Sequence, residues 1–164
     1  FRRIYDYNYA IMKMIRMMNM PLPKALAAPA EFILQHDLCR EMQHSPVNTK
    51  RLKNLVEEAQ RFSLRLDIQR INYDAARRIH QLMDQFLENP QDMDLLLQIE
   101  HLLEVLNTIT DEIDFQDAQN AFYSIAKKSY PAFLKKSRSD NDEAKQWVEH
   151  FHNLAQHLGL EIPD

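Results

Sequence analysis

A chain with a single glycine, Gly159, in 164 residues has few ways to fold. Average usage would supply about a dozen over that length. Glycine gives the backbone the positive φ of hairpin turns, phosphate-cradling loops and close ligand approaches, so its scarcity predicts an almost wholly helical chain. It also excludes chemistries built on glycine-rich loops, since neither a dinucleotide fingerprint nor a P-loop can be written here. The expected fold is all-α, a single-domain antiparallel bundle of about seven or eight helices spanning residues 1–164.

Length suits one hydrophobic core, and 45% hydrophobic with 27% charged residues is the balance of a soluble globular protein. A formal charge of -4, with Lys and Arg spread along the chain, argues against a nucleic-acid partner, which needs a concentrated basic stripe. The cluster Lys135, Lys136 and Arg138 reads as a solvated helix end beside its carbonyls. Cys39 is alone, so neither a disulfide nor a cysteine zinc site is available, which suits the reducing cytoplasm. Apolar runs fall far short of the 18 or so residues that span a bilayer, so no membrane partner is expected. The opening FRRIYDYNYA lacks the shape of a signal peptide, and the chain reads as a piece of a longer protein.

Apolar residues return at helical spacing between the prolines. A first helix is expected from about Tyr5 to Asn19, ended by Pro21 and Pro23, with Pro23 opening a short helix and Pro29 starting the next, which runs to about Gln43. Asn48 reads as the N-cap of a third helix, and Asp67 caps a long one that Asn89 and Pro90 end. Further helices begin near Asp92, after Asp114 as N-cap, at Pro131 and near Asp140. Gly159 reads as the C′ residue that stops the last helix.

No residue is assigned a catalytic role. Two Glu-x-x-His pairs, Glu41 with His44 and Glu149 with His152, have the spacing used in di-metal helical bundles, but Glu149 points away from the apolar stripe of its helix. They stand as a remote alternative, with no metal or cofactor as the main expectation. The acidic stretch Asp111, Glu112, Asp114 and Asp117 reads as a solvated helix start, with nothing to split its pKa values for acid-base work.

Five of eight methionines fall within residues 12–20, where Met12, Met14, Met17 and Met18 with Ile11 and Ile15 cover most of the helix circumference. Core packing is the simplest reading. Methionine is also common on surfaces that receive a partner, and all-round apolarity fits an interface to an N-terminal domain. Met12, Met14, Met17, Met18, Tyr5 and Tyr9 are the candidate interdomain contacts, the two tyrosines otherwise forming a half-exposed rim of the core.

Several strings occur in a characteristic order. They are Met20-Pro-Leu-Pro-Lys-Ala-Leu26, Ala30-Glu-Phe-Ile-Leu34, Asn89-Pro-Gln-Asp92 and Ile99-Glu-His-Leu-Leu-Glu-Val-Leu106. Asp114-Phe-Gln-Asp-Ala-Gln-Asn-Ala-Phe-Tyr123 follows, then Tyr130-Pro131 and Asp142-Glu-Ala-Lys-Gln-Trp-Val148. In that order and spacing the chain resembles the C-terminal helical domain of unknown function found in bacterial proteins similar to glycoside hydrolase family 57. The resemblance implies an upstream incomplete (β/α) barrel carrying a Glu nucleophile and an Asp acid, and acting on α-glucan by retention. It implies a non-catalytic, accessory role for this chain, with the barrel as its partner and α-glucan touched only indirectly. The alternative is a free-standing interaction module that binds a protein through the methionine face. The oligomeric state stays open.

Overall fold

The computed structural model describes residues 1–139 and 141–162. Among them are eight helices and no strand: α1 (Arg2–Met17), α2 (Lys24–Met42), α3 (Thr49–Phe62), α4 (Ile68–Glu88), α5 (Met93–Leu106), α6 (Gln116–Lys128), α7 (Tyr130–Arg138) and α8 (Asp142–His157). The protein is an all-α helical bundle. Contacts gather into two compact units, Phe1–Ile71 and Asn72–Asp164, a division that length and composition do not reveal.

Starts and stops follow local chemistry. Asn48, Asp92 and Asn141 each accept a hydrogen bond from the amide three residues on, at Arg51 (3.0 Å), Leu95 (3.0 Å) and Ala144 (2.9 Å), and Asp67 does the same for Arg70 at 3.1 Å. Asn141 therefore caps α8, and the expected start at Asp140 lies outside the described residues. Asp114 is not the N-cap expected from the sequence: Phe115 holds that position, and Asp114, two residues before the first helical residue Gln116, accepts from the Gln116 amide through Oδ1 at 3.0 Å. Pro29 does not start a helix. It lies buried inside α2, which runs on from Pro23 because Ala30, Ile33, Leu34 and Leu38 behind it are all buried, outweighing the one backbone bond the ring removes.

Three helices end in the same backbone motif. Around Gly159 (φ 70°) the Leu160 amide bonds to the Ala155 carbonyl at 2.8 Å and the Gly159 amide to Gln156 at 3.0 Å, the paired bonds of a Schellman cap. The same pair of bonds closes α1 around Asn19 (φ 55°) and α3 around Ser63 (φ 53°). Two left-handed caps are thus made without glycine.

In Phe1–Ile71, α2 packs against both α1 and α3 over Leu34, Leu38, Met42, Leu52, Val56 and Phe62, all buried. In Asn72–Asp164, α8 packs against α5 and α7. Its Trp147 stacks on Phe133 (centroids 3.9 Å) and Phe151 (4.7 Å), and Phe151 stacks on Phe122 (4.4 Å). The indole N–H of Trp147 donates to the Pro90 carbonyl at 2.7 Å, so its one polar atom is satisfied.

Candidate docking surface

Helix α1 has two apolar sides. The inner one carries Tyr5 and Met12, both buried, and Tyr9, half-buried, whose ring meets Phe62 edge-on at 5.6 Å and Tyr5 at 5.8 Å. Polar bonds fix its register against the neighbouring helices. Arg2 Nη2 donates to both oxygens of Asp37 at 2.6 and 2.7 Å, which holds the guanidinium's pKa above its ordinary value. The Tyr5 hydroxyl donates to Glu58, and burial followed by that carboxylate pushes the phenol well above the usual tyrosine range.

At its C-terminal end α1 is tied to α3 through Arg16. The guanidinium donates to the carbonyls of Met20 and Arg61, each at 3.1 Å, and to Ser63 Oγ at 2.8 Å. It sits where two helix ends present carbonyls, the place the helix dipole favours a cation.

The outer side is largely open to solvent. Met14 (62% exposed), Met17 (79%) and Met18 lie open, as do Ile4, Tyr7 and Ile11. Of the six candidate contacts, Met14, Met17 and Met18 are therefore exposed. Tyr5 and Met12 are not, because they fill the interior of Phe1–Ile71, and Tyr9 forms the expected rim. Ile4, Tyr7 and Ile11 complete the outer face, and the signal for them was their spacing with Met14 and Met18 in steps of three and four.

Other clusters offer little chemistry. The Glu41 carboxylate is buried and receives Arg51 Nε at 3.1 Å, with His44 Nδ1 at 3.6 Å, while Glu149 is exposed and His152 Nε2 lies 2.8 Å from the Tyr130 hydroxyl. Among the described residues no group of three His, Cys, Asp or Glu could hold a metal ion. Buried Glu100 pairs with His150 Nδ1 (2.7 Å) and Asn153 Nδ2 (3.0 Å), joining α5 to α8, a contact that neither spacing nor composition indicates. Asp111, Glu112, Asp114 and Asp117 are all exposed, and the last three border an open groove of 390 Å³ beside Arg77 and His80.

No helix among the described residues is long and apolar enough to cross a membrane. No protein-family model matches the chain, and neither a curated protein nor a solved structure matches it.

Proposed function

We propose that this chain is the non-catalytic C-terminal helical domain of a bacterial protein similar to family 57 glycoside hydrolases, and that it covers and braces the catalytic barrel through the outer face of α1. The observation that carries this reading is that face. Met14, Met17 and Met18, with Ile4, Tyr7 and Ile11, form a continuous apolar surface on a helix whose inner side is already packed. Contiguous exposed apolar surface of this kind marks an interaction site. The ordered strings from Met20 to Val148 supply the identity of the partner. Catalysis on α-glucan belongs to the upstream barrel, and this chain contributes to carbohydrate metabolism by shaping the substrate cleft. Cys39, buried and without a second cysteine, agrees with a cytoplasmic setting.

Two measurements test the reading. The gene region upstream of Phe1 is expected to encode a barrel with the family's histidine-containing first strand. The chain alone is expected to leave α-glucan unchanged, neither hydrolysed nor transferred. Activity in the isolated chain overturns the reading, and an upstream region unrelated to a barrel favours the free-standing interaction module instead.

A further inference from the structure

Charge is unevenly divided within Asn72–Asp164. That stretch has eight Lys and Arg against seventeen Asp and Glu, yet five of the eight, Lys127, Lys128, Lys135, Lys136 and Arg138, fall within twelve residues. Not one Asp or Glu lies between Asp117 and Asp140. The helix dipole explains part of this, because a cation in the last turn is favoured beside the unpaired carbonyls. Helices α1, α2 and α3 carry one such residue each, Arg16, Arg40 and Arg61, and α4 and α5 have none. The last turn of α6 has two and that of α7 three, more than the dipole asks for.

Helix α7 keeps its two sides apart. Tyr130, Phe133, Leu134 and Ser137 are partly buried, with Phe133 stacked on Trp147 and Tyr130 on Phe151 at 5.7 Å, so α8 takes this side. Pro131, Ala132, Lys135, Lys136 and Arg138 form the other side and are all exposed, as are Lys127 and Lys128 at the end of α6. Lys136 lies over the Phe133 ring, 5.8 Å from its centroid, and none of the five cations forms an ion pair among the described residues. Lys135 and Arg138 are helical neighbours of like charge, an arrangement that destabilises a helix left to itself.

We propose that this face is a docking site for an acidic segment of a partner protein, an extended run of Asp and Glu laid along the solvent side of α7. Charge complementarity sets the sign of the partner, and size sets its kind. The five cations lie within about 17 Å of helix at 1.5 Å per residue, a length that about five or six extended residues cover. A bilayer or a duplex is wider than the patch. It would bring its phosphates up to Asp142 and Glu143, exposed at the start of α8, and to a unit with about twice as many acids as cations. A short acidic segment stays within the basic face. Neither the outer side of α1 nor the family resemblance bears on this site.

The test uses the whole 164-residue chain and a fluorescein-labelled hexaglutamate peptide, with anisotropy as the readout. Binding is expected, and raising the salt from about 50 to about 200 mM should weaken it several-fold, since exposed charges are screened beyond a Debye length. Lys127→Glu with Lys135→Glu, one change on each helix, should weaken it at least about tenfold. Lys50→Glu with Lys53→Glu, at exposed positions of α3, changes the net charge equally and should alter binding less than about twofold. Circular dichroism checks folding, and Lys127→Gln with Lys135→Gln replaces the Glu pair if that pair does not fold. Equal weakening by the α3 pair means that overall charge rather than this face attracts the peptide, and overturns the proposal. Absence of peptide binding at low salt does the same. Tighter association with phosphatidylserine-containing vesicles or with a DNA duplex than with the peptide, lost in the α6–α7 variant, makes the occupant a membrane or a nucleic acid and also overturns it.

Discussion

In Phe1–Ile71 two buried carboxylates of α2, Asp37 and Glu41, are met by arginines, Arg2 from α1 and Arg51 from α3, whereas in Asn72–Asp164 the buried acid Glu100 is met by His150 and Asn153, and α8 is held chiefly by stacked rings, Phe133, Trp147, Phe151 and Phe122. The difference teaches how each unit tolerates damage. Ring stacks are non-directional in charge and lose stability in proportion to the volume removed. Buried acids are asymmetric: taking away the arginine strands a charge, while taking away the acid leaves an arginine free to turn toward water. Arg2 and Arg51 are about half exposed, so that second route is open to both.

The largest effect is therefore expected at the rings. Trp147→Ala empties the centre of the stack and orphans the Pro90 carbonyl, and should cost about 3–5 kcal/mol in chemical denaturation. Hydrogen exchange should localise the loss to Asn72–Asp164, and an equal loss of protection in Phe1–Ile71 would break the contrast between the units.

Next is the charged pair. Arg51→Ala should cost about 2–3 kcal/mol by leaving Glu41 buried without its arginine, and Glu41→Gln should cost clearly less. Equal losses would mean that the pair, rather than the stranded acid, sets the energy.

Smaller changes are expected at the left-handed caps. Asn19→Gly removes the strain of a side chain at φ 55° and should stabilise Phe1–Ile71 by less than about 1 kcal/mol, while Gly159→Ala at φ 70° should destabilise Asn72–Asp164 by about 1 kcal/mol. Opposite signs in thermal melts confirm that one motif closes helices in both units.

The smallest effect appears only in alkali. Tyr5 is held neutral, its folded pKa raised above the unfolded one, so its contribution is complete below about pH 10 and is lost as pH rises beyond that, where the unfolded chain ionises first. Tyr5→Phe should flatten the decline in stability above pH 10. An unchanged slope would place the alkaline sensitivity elsewhere.

Much of the fold could be read from the chain because its signals are local. Asn48, Asp67, Asp92 and Gly159 act through bonds to residues two to four positions away, which sequence displays directly. Asn19 and Ser63 escaped notice because neither is a residue type that demands a left-handed φ; the surrounding bonds impose it. Pro29 misled for the related reason that burial of the following turns overrode a local preference. In α1 the methionines were conspicuous, but type alone could not divide Met12 from Met14. Only the direction of Tyr5 and Met12 toward α2 and α3 separates the inner side from the outer, and long-range contacts such as Arg2 with Asp37 determine that direction.

Trp147 is the chain's only tryptophan, and it lies in the ring stack of Asn72–Asp164, while Tyr5 and Tyr9 belong to Phe1–Ile71. The molecule thus carries a built-in optical label for one unit. Indole emission follows that stack coming apart, and circular dichroism follows the helices of both units, so one titration read by the two signals shows whether the units melt together or in turn.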